Sequence, residues 1–459
     1  MDTTPAPTTG SSAPPVRPSA LTLAQALPFW LKLGCISFGG PAGQIAIMHA
    51  ELVERRRWIS ERRFLHALNY CMVLPGPEAQ QLATYIGWLL HRSWGGIVAG
   101  GLFVLPSLFV LIALSWIYLR FGDVPAVAGI FFGLKPAVTA LVLHAAYRIG
   151  TRALRNGWMW GIAAAAFVAI FAFGTPFPAI VVAAGLIGHF GARRWPQVFA
   201  LGGGHGGVGA SYGPALIDDD TPTPGHARFS RSHLAKVMGA GVGLWALAMA
   251  VLVAMQGLDG TLTQMGWFFT KAALVTFGGA YAVLPYVYQG AVEQHQWLSA
   301  AQMIDGLALG ETTPGPLIMV VAFVAFVGGW LQQVLGPDAL FLGGALAAAV
   351  VTFFTFLPSF VFIVAGGPLV EATHGRLGFT APLSAITAAV VGVILNLALF
   401  FAYHVLWPQG FGGRFEAVAA VIAVAATVAL FRFKVGVLPL LGACAAAGLA
   451  VTLLVPGLH

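Results

Sequence analysis

Seven stretches of the chain, at about 96–119, 126–147, 237–256, 340–365, 380–403, 415–431 and 436–455, are apolar over the length that crosses a bilayer as a helix. Two shorter ones, 157–172 and 178–191, flank the sequence Gly-Thr-Pro-Phe-Pro. Lipid offers no hydrogen-bond partner, so such segments must satisfy their backbone N–H and C=O groups internally, as α-helices do. The composition agrees: 58% of the 459 residues are hydrophobic, 8% are charged and the mean hydropathy is +0.84. The sequence therefore predicts an all-α polytopic membrane protein with the lipid bilayer as its first partner.

The remaining polar material is sparse. Residues 1–20 are rich in Pro, Ser and Thr and have no apolar centre, so they read as a disordered tail and not as a cleaved signal. The net charge of +7 comes mostly from arginines between the apolar runs, a pattern that concerns orientation and anionic lipid headgroups and not nucleic acid. Cys35, Cys71 and Cys444 sit in apolar contexts without metal-ligand spacing and read as buried small hydrophobes, so neither a metal nor a cofactor is expected.

The chain is internally duplicated. A shift of 239 residues pairs Phe29 with Phe268, Lys32 with Lys271, Phe38-Gly39-Gly40 with Phe277-Gly278-Gly279, and Glu54 with Glu293. The same shift pairs Trp58 with Trp297, Ser60 with Ser299, and Pro75-Gly76-Pro77 with Pro314-Gly315-Pro316. Farther on the shift becomes 252, pairing Leu105-Pro106-Ser107 with Leu357-Pro358-Ser359, so the second copy carries 13 extra residues between. Two structural repeats of one membrane unit explain this. They divide the chain into a tail (1–20), a first repeat (21–191), a cytoplasmic linker (192–236), a connecting transmembrane helix (237–256) and a second repeat (257–459). The linker reads as flexible, and its Gly-rich run lacks the Gly-Lys-Ser/Thr ending of a phosphate-binding loop.

Charge sets the orientation of the copies. Arg55, Arg56, Arg57, Arg62 and Arg63 of the first copy correspond to Gln294, His295, Gln296, Ala301 and Gln302 of the second. The contrast reverses later, where an uncharged turn at 173–178 corresponds to one holding Arg432 and Lys434. Because basic residues collect on the cytoplasmic side, the copies are expected to be inverted. The path that follows keeps the N-terminus and the 50–63 loop inside and folds 64–90 as a re-entrant hairpin with Pro75-Gly76-Pro77 at its tip. It places Arg148, Arg152, Arg155, Arg193, Arg194 and Arg376 inside, gives nine full spans, and ends outside.

A Gly-Gly or Pro-Gly-Pro break at membrane depth is tolerated only where it faces protein or a watery cavity. Helices restarting after Gly40, Pro77, Gly279 and Pro316 would offer free N–H groups and partial positive charge, which suits an anion. Valine at Gly40 or Gly279 should be damaging there, and alanine milder. Ser37, Thr276, Thr312 and Thr313 stand beside the same breaks as candidate hydroxyl donors, and Lys32 and Lys271 as symmetric cations that either balance a dianion or snorkel to the interface. Glu78 and Glu311 adjoin the Pro-Gly-Pro motifs and read either as helix caps or as carboxyls that take a proton when the site empties. Lys135 also interrupts apolar sequence and needs a partner or water; His144 reads as a packed core histidine.

The ordered set "FGGPAGQIAIMHAELVERRRWIS", "LPGPEAQQLATYIG", "FGGAYAVLPYV" and "TPGPL" resembles the chromate ion transporter family in its long, two-domain form, over roughly 25–150 and 264–400. The resemblance implies export of chromate across a prokaryotic inner membrane, secondary-active and not enzymatic. The tetrahedral dianion sulfate is the alternative cargo, a passive anion channel the alternative mechanism, and a homodimer is left open. An enzyme would show a carboxylate-rich metal motif or a nucleophile with its base, and the sequence holds neither.

Overall fold

A computed structural model of the chain describes residues 18–38, 40–199, 212–222, 224–277, 279–373 and 380–454. Gly39, Gly278, Arg376, nearly all of the N-terminal tail and the Gly-rich run of the linker lie outside the described residues. The described chain is all-helical apart from a single β-bridge between Ile59 and Ile217. The first repeat contains α1 (Leu23–Ile36), α2 (Gly40–His49), α3 (Glu61–Cys71), α4 (Glu78–Phe121), α5 (Pro125–Ala153), α6 (Gly157–Phe173) and α7 (Phe177–Arg194). A short α8 (Pro196–Phe199) and the connecting α9 (Arg231–Gln256) follow. The second repeat contains α10 (Thr261–Leu274), α11 (Ala280–Tyr288), α12 (Ala300–Thr312), α13 (Val320–Leu331), α14 (Leu340–Thr373), α15 (Thr380–Leu406), α16 (Ala417–Phe431) and α17 (Val437–Leu454). Among the described residues six helices are long and apolar enough to cross a membrane, and shorter apolar helices accompany them.

The duplicated residues are the ones that shape the hairpins. Ser60 and Ser299 cap α3 and α12, each accepting a hydrogen bond from the backbone N–H three residues on. Phe29 meets Trp58 at 5.1 Å between ring centroids, and Phe268 meets Trp297 at 5.7 Å, so the chain leaving α2 or α11 returns to the middle of α1 or α10. The Arg56 guanidinium covers the first of these pairs, 4.8 Å from the Phe29 ring.

α4 is two helices joined by a reversal. At His91 (φ −136°, ψ 32°) and Arg92 (φ 58°, ψ −160°) the backbone leaves helical values. The two arms lie so close that a Cβ on Gly87 would come within 2.5 Å of the Gly95 carbonyl oxygen. Gly329 and Gly344 play the same part between α13 and α14, where the extra residues of the second copy lengthen the turn. α3 with the first arm of α4, and α12 with α13, are thus hairpins with Pro-Gly-Pro at their tips.

The inversion is visible in the long equivalent helices. The second arm of α4 meets α14 with Gly100 against Phe360 at one end and Trp116 against Phe341 at the other. Equivalent helices therefore run antiparallel, as a two-fold axis in the membrane plane requires. Outside this crossing α5 packs on α15, α16 and α17. Small residues permit that contact: a Cβ on Gly133 would lie 1.9 Å from the Cys444 carbonyl oxygen, and one on Gly448 2.3 Å from that of Gly129.

Two expectations are corrected. Cys71 and Cys444 are buried, but Cys35 is exposed because it shares with Leu31 and Lys32 the face of α1 that turns away from α4. The linker is not free over its described part: Leu216 and Ile217 donate to the carbonyls of Arg57 and Trp58 at 2.8 and 3.0 Å, and Ser60 donates back to Ile217 at 3.0 Å. Asp219 accepts from the Ser60 hydroxyl at 2.7 Å, so the linker lies against the 57–63 loop of the first repeat.

Candidate functional site

The tip of each repeat is held by the broken helix of the other. Gly76 N–H donates to the Thr276 carbonyl at 2.8 Å, and Gly315 N–H donates to the Ser37 carbonyl at 2.8 Å. This reciprocal exchange brings all four breaks together around the two-fold axis. Ser107 and Ser359, equivalent residues of the long helices, complete the exchange: Gly315 rests on Ser107 and Gly76 on Ser359. Gln44 adds a link present in one copy only, donating from Nε2 to the Gly315 carbonyl at 2.6 Å and to that of Ser37 at 3.3 Å. Its equivalent is Val283, so this link has no counterpart in the second repeat.

The donors that join the repeats at this junction are the backbone N–H groups of Gly76 and Gly315 and the Gln44 amide, and the expectation that hydroxyls face an anion does not match the geometry. Ser37 Oγ and Thr276 Oγ1 donate to the carbonyls of Leu33 and Ala272, both at 2.6 Å, one turn back in their own helices. Thr312 and Thr313 likewise donate to Leu309 and Gly310 at 2.9 and 3.1 Å. A hydroxyl has one proton, and these are committed. By contrast Gly40 (φ +72°) starts α2 and Gly279 (φ +99°) caps α11, each with open space where a Cβ would stand. No side chain caps α11, which leaves the first N–H groups of that helix available to a ligand. Phe38 and Phe277 flank the same breaks and are half-buried.

The charged candidates separate. Lys32 and Lys271 are exposed whereas Ser37 and Thr276 are fully buried, and the Lys271 ammonium lies 5.8 Å from the Trp267 ring centroid. The structure does not bring these lysines to the breaks, because five residues along a helix turn a side chain well away from its starting face. Glu311 is buried and accepts a hydrogen bond from the Tyr281 hydroxyl, which ties the hairpin tip to the first turn of α11. Glu78 is half-buried in the first turn of α4, and Arg152 and Arg148 of α5 are the cations whose charges reach Glu78 and Glu311.

Lys135 finds its partner in Asp305, at 3.5 Å, on α12. Asp305 was not singled out in the sequence, although an unpaired lysine in an apolar run calls for a carboxylate. Gln44 and Tyr281 were missed for a different reason: their partners lie in the other repeat or in a distant hairpin. His144 packs edge-on against Phe431 at 5.1 Å. A groove of about 910 Å³ between α6 and α7, lined by Trp158, Ile162, Thr175, Ile180 and Ala389 among others, is overwhelmingly apolar and holds no charged side chain. Among the described residues no group of three His, Cys, Asp or Glu is placed to hold a metal ion.

A family profile described as chromate transporter matches residues 24–189 and 263–449, which include both Gly-Gly breaks and both hairpin tips. The chain belongs to the chromate transporter family. This transporter is 32% identical over 380 residues to a chromate transport protein of Pseudomonas aeruginosa, covering 82% of this chain and 80% of the relative. It is 29% identical over 383 residues to a chromate transport protein of Cupriavidus metallidurans, covering 83% of each. An uncharacterized transporter of Bacillus subtilis matches over 128 residues at 30% identity, 28% of this chain but 72% of that protein, as a single repeat would. No solved structure matches the transporter. Family membership makes the protein a multi-pass transporter and not an enzyme.

Proposed function

We propose that the protein exports chromate from the cytoplasm of a prokaryotic cell across its inner membrane, by a secondary-active mechanism coupled to protons. The observation that carries this reading is the reciprocal hydrogen bond between each Pro-Gly-Pro tip and the opposite broken helix, which gathers the helix starts at Gly40, Pro77, Gly279 and Pro316. Converging N–H groups and helix dipoles suit a tetrahedral dianion without requiring a buried cation. The names of the relatives select chromate among such anions. Transport into reconstituted vesicles tests this, with sulfate in competition and the pH gradient varied. Chromate accumulation against its gradient is expected; mere equilibration would indicate a channel, and preferential accumulation of sulfate would assign the other cargo.

Glu311 is the stronger candidate for the coupling carboxyl, because its hydrogen bond from Tyr281 reaches the first turn of α11, beside the proposed anion. Glu311→Gln keeps the shape and removes the titration, so transport should lose its dependence on the pH gradient while chromate binding survives. Glu78→Gln should keep that dependence if Glu78 is a helix cap. Unchanged pH dependence in Glu311→Gln with loss in Glu78→Gln would reverse the assignment.

The orientation has its own test. A cysteine at Gln296 is expected to react with an impermeant thiol reagent from the periplasmic side, and one at the equivalent Arg57 only from the cytoplasmic side. Labelling of Arg57→Cys from the periplasm would reverse the proposed sidedness.

A further inference from the structure

Two buried carboxylates lie outside the anion site, and each joins the hairpin of one repeat to helices of the other. Glu371, near the end of α14, accepts from the Tyr85 hydroxyl at 2.6 Å and faces the Arg63 guanidinium at 3.7 Å. Tyr85 and Arg63 belong to the hairpin of the first repeat. Asp305, in the hairpin of the second repeat, accepts from the Tyr118 hydroxyl at 2.9 Å and faces the Lys135 ammonium at 3.5 Å. Tyr118 ends the second arm of α4, and its equivalent in α14 is Val370, next to Glu371. The same tyrosine, carboxylate and cation chemistry thus recurs on both sides of the two-fold axis, built from residues the duplication did not copy.

Position decides what these triads do. Tyr118 stands eleven residues beyond Ser107, and Glu371 twelve beyond Ser359. At about 1.5 Å per helical residue, each triad is roughly 16–18 Å from the serine on which a hairpin tip rests. Because α4 and α14 run antiparallel, the triads lie in opposite directions from the site. A hairpin cannot swing away from the opposing long helix on one side without breaking the triad on that side. Separated charges within a membrane protein are costly unless water reaches them, so breaking a triad and opening that side to water belong together.

We propose that the two triads are alternating latches of the transport cycle: Tyr85–Glu371–Arg63 closes the cytoplasmic side and Tyr118–Asp305–Lys135 the periplasmic side. With both formed, the site is occluded. Each latch holds one buried polar atom without a hydrogen-bond partner, Asp305 Oδ1 in the outer and Arg63 Nη1 in the inner. This inference rests on the reading of the protein as a carrier, but its test does not depend on which anion is carried.

The test uses Thr312→Cys, half-buried at the second tip, as the only cysteine, in right-side-out and inside-out vesicles with a membrane-impermeant maleimide. Asp305→Asn should raise labelling from the periplasmic face by about tenfold, the effect of roughly 1.4 kcal/mol on a two-state equilibrium, and lower it from the cytoplasmic face. Glu371→Gln should do the reverse. The exchange Lys135→Asp with Asp305→Lys restores the charge pair and should return labelling toward the parent, which a merely structural role would not do. If either carboxylate variant fails to insert, Tyr118→Phe and Tyr85→Phe weaken the respective latches and should shift labelling in the same directions. Unchanged labelling, or a shift toward the same face for both triads, would overturn the proposal.

Discussion

Gly315→Ala is expected to abolish chromate transport in protein that still reaches the membrane. Gly315 has φ +105°, in a region open essentially to glycine, where another residue costs about 1–3 kcal/mol. Its added Cβ would also stand 2.7 Å from Ser107 Cβ, an atom fixed to the long arm of α4. Forcing that contact adds a further cost of about 1–3 kcal/mol. Both fall on the residue whose N–H holds Ser37, so the broken helix and the tip separate together. Gly76→Ala should be damaging but less so: at φ +127° its backbone cost is similar, yet its closest neighbours are Ser359 Oγ at 2.3 Å and Gln81 Nε2 at 2.6 Å, which can rotate aside. Ser107→Gly added to Gly315→Ala should restore part of the activity, because it relieves the contact and leaves the dihedral strain. The measurement is initial chromate flux per inserted protein, and full flux in Gly315→Ala would remove the tip from the transport path.

Gly279→Val should also abolish transport, and Gly279→Ala should nearly do so. The expectation from sequence is that alanine is milder than valine at both Gly-Gly breaks, and the backbone angles of Gly279 narrow that difference there. Gly279 combines φ 99° with ψ 173°, which side chains do not tolerate, and Gly40 has a smaller positive φ of 72°. Gly40→Ala should lose several-fold in flux, at roughly 1–3 kcal/mol for a side chain at positive φ. Valine remains the worst replacement at either position, since its branches enter the open space in which the anion is proposed to sit. Equal tolerance of alanine at the two glycines would show that the backbone angles do not set the effect.

Much of the architecture was legible because membrane physics writes it into the sequence. Apolar length gave the spans, the constant shift gave the repeats, and the exchange of Arg57 for Gln296 pointed to their inversion, which the antiparallel course of α4 and α14 bears out. The duplicated Ser60 and Ser299 turned out to be helix caps, a role their position before α3 and α12 could have suggested. What sequence did not disclose were distances between the copies. Nothing in the local pattern says that Gly76 bonds to Thr276, or that Lys135 bonds to Asp305 rather than to an anion. Hydroxyls at a break looked like ligand donors, but a serine or threonine on a helix has its own carbonyl one turn back within reach, and Ser37 and Thr276 take it. Likewise the face of a helix decides whether Cys35 or Lys32 is buried, and that face depends on where α4 packs.

The central claim is that the four breaks form one anion site. The most direct test is a structure of the protein with chromate, in which chromium is located by its anomalous scattering. The account predicts a single chromium between the starts of α2 and α11, within hydrogen-bond reach of backbone N–H groups and next to the Gly315 tip. A chromium bound elsewhere, at Lys32 or Lys271 or beside Lys135, with the breaks empty at saturating chromate, would contradict it.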